Sequence, residues 1–188
     1  MKRSAGATAG AALVAAVLGA CSSSTPASSG APATTAAVVT TQRPSPVPAP
    51  KGRTVLTVRG SLSNHNRGSS LEFDQATLDA MAKQQATIFE PFVKRDIRFT
   101  GIPMSALLGR AGISPSATKV AMHALDDYRV QFKVADLMAP GVLLATRADG
   151  AAIPVAKGGP IRLVFPPQSA AGKNKDVWIW SIDSMTIS

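Results

Sequence analysis

The chain has one cysteine, two histidines and one tyrosine in 188 residues, and aromatic residues make up only 5% of it. A single cysteine excludes an intramolecular disulfide in any redox compartment. His65 and His123 are too few for a typical zinc site unless carboxylates complete it, so no metal ligands are assigned. With so few aromatics among scattered Lys and Arg, the interleaved basic and aromatic surface of nucleic-acid binders is missing, and nucleic acid is not expected as a partner. No Gly-x-Ser-x-Gly elbow occurs, which removes the main sign of a serine hydrolase, and no catalytic residue is assigned. The N-terminal apolar run is shorter than the ~20 residues of a spanning helix.

What is present points to one folded domain with a long N-terminal extension. The hydrophobic fraction of 45% overstates the core, because Ala dominates the first part of the chain and buries little area per side chain. Val, Ile, Leu and Phe concentrate from Thr54 onward. The formal charge is +9, and taking away Lys2 and Arg3 leaves +7. Such a balance gives a general attraction to anions without naming one.

Lys2 and Arg3 precede the apolar run Ala11–Ala20, with no acidic residue before Cys21, which is the pattern of a secretory signal. Leu18-Gly19-Ala20-Cys21 resembles the lipobox of bacterial lipoproteins. The resemblance implies cleavage before Cys21 and a diacylglyceryl group on its sulfur. Residues 1–20 are then the signal peptide, and the protein is held to a lipid bilayer on the extracytoplasmic side, periplasmic or cell-surface. Residues 21–53 are rich in Ser, Thr, Ala and Pro, with Pro44, Pro46, Pro48 and Pro50 alternating. That composition predicts a disordered tether spanning roughly 30 Å.

The folded domain is expected over residues 54–188. Thr54–Gly60 is a β-branched strand, and Leu71-Glu-Phe73 is extended. Asp74 is placed to cap a helix with Leu78, Met81 and Ala82 on one face. Ala86–Phe89 and Asp96–Phe99 form a strand pair around Pro91, and Pro103 starts a short helix that Gly112 ends. Lys119–Leu125 and Tyr128–Val134 form a hairpin around Asp126-Asp127, with Val130, Phe132 and Val134 on one face. Further strands are predicted at Val142–Thr146, Ile161–Phe165, Val177–Ile182 and Met185–Ile187, with a tight turn at Asp149-Gly150. Trp178 and Trp180 would share one side of a strand, covering the core or a helix, or stacking a planar ligand. Strands outnumber helices without regular alternation, so the fold class is α+β with a mixed, mostly antiparallel sheet and a few short helices.

Several of these pieces form an ordered series: Phe99-x-Gly101-x-Pro103, Leu107-Leu108, Ala111-Gly112, Asp126-x-Tyr128, Leu143-Leu-Ala145, Asp149-Gly150 and Gly158-x-Pro160-x-Arg162-Leu-Val-x-Pro166. The series resembles the molybdopterin-binding domain of the sulfite oxidase family, including its short bacterial members. By that resemblance the loop with Lys157, Gly158 and Arg162 lies near the pyranopterin, with Lys157 where the family commonly has His. These three residues are the candidates for cofactor or anion contact. Two glycines would let backbone amides approach an anion, and the two cations could add charge-assisted bonds. A solvated turn before a core strand is the alternative.

One departure from the family decides the expected chemistry. Its catalytic members hold molybdenum through a cysteine thiolate that would fall near Thr87–Glu90, and this chain has Thr-Ile-Phe-Glu there. A soft thiolate has no substitute among those side chains, Glu90 being a hard ligand. The expectation is therefore a tethered, molybdopterin-binding-like domain with no catalytic cofactor, binding a small anionic ligand or an envelope protein. Two alternatives stay open: a molybdopterin-dependent oxidoreductase working without the cysteine, and a purely structural cell-envelope lipoprotein.

Overall fold

In the computed structural model, which describes residues 44–188, two five-stranded sheets share the domain. Cys21, the expected signal peptide and most of the expected tether lie outside the described residues. Among the described residues no helix is long and apolar enough to cross a membrane.

The first sheet is built around strand β1 (Thr54–Gly60), whose Leu56 and Val58 point inward. It pairs antiparallel with β2 (Leu71–Asp74) and parallel with the last strand, β10 (Ile182–Ile187). The hairpin of β5 (Lys119–Ala124) and β6 (Arg129–Lys133) continues this sheet, giving the order β2-β1-β10-β5-β6. The second sheet starts with β3 (Gln84–Glu90) and β4 (Arg95–Pro103), paired antiparallel so that Ile88 lies opposite Ile97. It continues through β7 (Leu143–Ala148) and the short β8 (Ala151–Ala152), and β9 (Arg162–Val164) also pairs with β7. One parallel pair among antiparallel ones makes the architecture mixed, as expected.

The helices are short and start where the sequence places them. Asp74 accepts a hydrogen bond from the Thr77 amide at 2.8 Å and caps α1 (Gln75–Met81). Pro103 precedes α2 (Met104–Ala111), and Gly112 closes it in the left-handed region. Met104, Leu107, Leu108 and Ala111 all face the core at helical spacing. The small helices α3 (Val134–Leu137) and α4 (Ala170–Lys173) fill corners.

Strands with period two explain the two cores. Val142 and Leu144 face the main core, whereas Leu143 and Ala145 face a smaller cluster on the other side of the second sheet. Leu163 and Val164 divide in the same way. The second sheet is therefore apolar on both faces, and its outer face carries Ile88, Ile97, Phe99 and Val164.

Three expectations need correction. Residues 44–53, expected as tether, are seated on the domain: Val47 is buried, Asn64 donates to the Ser45 carbonyl at 2.9 Å, and Asp74 accepts from the amides of Lys51 and Gly52. Alternating prolines keep this stretch extended, and its carbonyls are met by side chains in place of a strand partner. Val134 does not extend β6 but opens α3. The stretch Trp178–Ser181 is not a strand either; isolated bonds, such as Leu163 N–H to the Ile179 carbonyl at 3.1 Å, hold it beside β9 without a ladder.

Candidate functional site

Over the outer face of the second sheet lies a cleft of about 1170 Å³. Its floor is set by strand periodicity. Glu90 is in phase with buried Ile88 on β3, and Arg162 is in phase with Val164 on β9, so both charged side chains are delivered to an otherwise apolar surface. They meet there. Arg162 Nη2 donates to Glu90 Oε2 at 2.7 Å, and their side chains are only 6% and 3% exposed.

Aromatic rings enclose this pair. The Arg162 guanidinium carbon lies 4.3 Å from the Trp180 ring centroid and 5.2 Å from that of Phe99. Cation–π contacts of this kind strengthen when water is excluded. Burial pushes the pKa of the Arg162 guanidinium below its ordinary value, and the Glu90 carboxylate opposes that shift. Glu90 Oε1 and Arg162 Nε have no hydrogen-bond partner, and both residues border a small cavity of about 10 Å³, roughly the room one water needs.

Three segments build the walls. The β3–β4 turn carries Phe92, whose ring meets Trp180 edge to face at 5.0 Å. The β5–β6 turn, with Asp127 in the left-handed region, brings Leu125 and Tyr128 to a second wall. Asp126 Oδ1 accepts from the Tyr128 amide, and the Tyr128 hydroxyl donates to the Asp176 carbonyl, tying this turn to the segment before Trp178. Asp126 and Tyr128 thus shape a wall beyond closing a hairpin.

The third wall is the loop with Lys157 and Gly158. The structure brings Lys157, Gly158 and Arg162 to the lining of one cleft. Arg162 is already committed to Glu90. The amides of Lys157 and Gly159 donate to the Pro154 carbonyl at 2.8 and 2.9 Å, and that of Gly158 to the Val155 carbonyl at 3.0 Å. With these donors turned inward, the loop offers no backbone cradle for an anion. Gly158 is needed for a different reason: its φ is +84°, and a Cβ there would sit 3.0 Å from Trp180 Cβ. Its carbonyl accepts from the Ser181 amide at 2.9 Å, which locks the loop to the Trp180 segment. Lys157 is left as an exposed cation on the rim.

The tryptophans divide their work. Trp178 packs against the main core and donates its Nε1–H to the Ala171 carbonyl at 3.1 Å, while Trp180 covers Arg162. His123 lies outside the cleft lining, between Asp183 at 2.9 Å and Asp127 at 3.2 Å. The Asp183 hydrogen bond, aided by Asp127, raises its pKa above the ordinary value against the cost of burial. Among the described residues no group of three or more His, Cys, Asp and Glu side chains is placed to hold a metal ion.

The Glu90–Arg162 pair was missed in the sequence. Its signal was a charged residue in phase with apolar ones on two separate strands, which has meaning only once both strands are known to share a face.

A family model described as the oxidoreductase molybdopterin binding domain matches residues 62–186. No curated protein matches the sequence. Among solved structures, the sulfane dehydrogenase SoxCD from Paracoccus pantotrophus is similar, with a TM-score of 0.55 and 19% identity over 70% of this chain and 37% of that one. The chain thus spans little more than a third of that structure's length, and at this identity the likeness is one of fold.

Proposed function

Because the chain belongs to the oxidoreductase molybdopterin-binding domain family, we propose that it is a lipid-anchored, extracytoplasmic member that has exchanged the molybdenum centre for a ligand-binding cleft. The anchor is the acylated Cys21, read from its lipobox. The reading of the cleft is supported chiefly by the Glu90–Arg162 ion pair. The segment where the family resemblance puts the metal's cysteine ends in Glu90, and Glu90 is already bonded to a buried guanidinium.

The residues present do not fit a molybdenum cofactor. No thiolate stands in the described domain, since the one cysteine is Cys21. The carboxylate of Glu90 is bonded to Arg162, and the Lys157–Gly159 amides that could have held a phosphate are spent inside their own turn. What remains is a buried ion pair at the floor, aromatic walls and two exposed lysines, Lys157 and Lys175. That chemistry suits reversible binding of a small ligand whose acidic group meets Lys157.

Two measurements test this. Metabolic labelling with palmitate should mark the wild-type chain and not Cys21→Ser; equal labelling would remove the anchor. Pterin fluorescence after oxidative denaturation should be at background in protein purified from a host that makes the cofactor. One pterin per chain would restore the oxidoreductase reading.

A further inference from the structure

Resting on the reading of the cleft as a ligand site, we infer that its ligand is an apolar acid: an extended hydrocarbon or ring body carrying a single negative group, as in a medium-chain carboxylate.

The first reason is where the exposed apolar surface lies. Of the seven large hydrophobic side chains left exposed among the described residues, five line this cleft: Phe92, Val93, Leu125, Tyr128 and Val155. Scattered exposed apolar residues need no explanation, but a concentrated, concave group marks a binding surface. The volume exceeds the ~300–1,000 Å³ typical of small-molecule pockets, so a long body fits.

The second reason is charge. Arg162 is neutralised by Glu90, and Arg95 by Asp149 at 2.8 Å. Lys175 lines the cleft with no salt-bridge partner among the described residues, and the lining also carries the carboxylates of Asp126 and Asp176. The cleft's fixed charges therefore nearly cancel, which disfavours a polyanion such as a nucleotide or pyrophosphate. Lys157 likewise has no acidic partner within salt-bridge distance among the described residues, and its loop backbone is tied to the Trp180 segment through the Gly158–Ser181 hydrogen bond. Each supplies an unpaired positive charge to a cleft whose exposed side chains are largely apolar.

The chain's two tryptophans both line the cleft, so intrinsic fluorescence reports directly on occupancy. The full chain carrying Cys21→Ser, which needs no detergent, is titrated with dodecanoate below its micelle concentration, with dodecanol, and with inorganic phosphate. Dodecanoate should give a saturable change, dodecanol a weaker one, and phosphate none. Lys157→Ala should weaken dodecanoate by up to about fivefold, the value of one exposed ion pair, and leave dodecanol unchanged. Val155→Asp, at a side chain 59% exposed and so harmless to folding, should weaken both.

Saturable binding of phosphate alone, no response to dodecanoate, or full dodecanoate binding in Val155→Asp would each overturn the inference. Molybdenum content measured on the same preparation separates the two failures. Stoichiometric metal sinks the functional reading itself, whereas a metal-free chain that ignores dodecanoate sinks only the ligand class.

Discussion

Glu90→Leu should destabilise the domain far more than removal of any surface charge. Its partner Arg162 is 6% exposed and enclosed by Phe99 and Trp180, so solvent compensates poorly for the lost carboxylate. Stranding a buried charge typically costs about 3–5 kcal/mol. For a domain of this size each kcal/mol moves Tm by about 2–4 °C, giving a fall of roughly 10 °C. The double variant Glu90→Leu/Arg162→Met removes both charges and keeps an apolar side chain against Trp180. It should return to within about 1 kcal/mol of the parent, since a buried pair gives little net stability over a hydrophobic one. Thermal melts of the parent, both single variants and the double variant close a double-mutant cycle. A Glu90→Leu variant melting within about 2 °C of the parent would refute the burial of the pair, because it would mean that solvent screens it.

Other consequences follow from the same structure. Gly101→Ala should leave little folded protein by near-UV circular dichroism, because its Cβ would lie 2.3 Å from the Leu144 carbonyl oxygen on the neighbouring strand. Hydrogen bonds from Thr77 and from the Gly52 amide hold the Asp74 carboxyl far below the usual carboxylate range. Its contribution is therefore complete above pH ~4, the unfolded value, and is lost as pH falls further; urea melts of Asp74→Asn should show a weaker decline on acidification than the parent. His123 has the opposite sign. Its pKa is raised, chiefly by Asp183, so its stabilisation is complete below pH ~6.5 and disappears as pH rises through the folded value. His123→Asn should flatten that part of the stability profile.

Much of the fold was legible from local chemistry. The Asp74 cap, Pro103 before α2, the Gly112 terminus and the alternation of β1 are each fixed by residues within a few positions of one another, so the sequence and the structure agree there. The Phe99-x-Gly101-x-Pro103 element was recognised as a pattern, but its cause is tertiary: β4 and β7 approach too closely for a side chain at Gly101, beside a register shift. The proline-rich stretch misled for a related reason. Composition gave it too little apolar surface to fold alone, yet Val47 finds a place in a core supplied by other strands.

The candidate site divides along the same line. Lys157, Gly158 and Arg162 could be picked out because they cluster in sequence, and they do share a cleft. Their roles depended on partners far along the chain. Arg162 answers to Glu90 and Trp180, Gly158 makes room for Trp180, and the loop amides are satisfied by the turn that the loop itself forms. Trp178 and Trp180 were paired on one strand because they are two apart, but without a ladder nothing enforces that period.

The replacement of the metal centre by an ion pair can be tested on one number, the molybdenum bound per chain. The full chain is produced in a host making the molybdenum cofactor and compared with a family member that keeps the cysteine, prepared in parallel. Molybdenum at background in this chain, beside a loaded control, is the expected result. Stoichiometric molybdenum in the native chain would mean that the Glu90–Arg162 floor opens to admit the cofactor, and the domain would have to be read as an oxidoreductase.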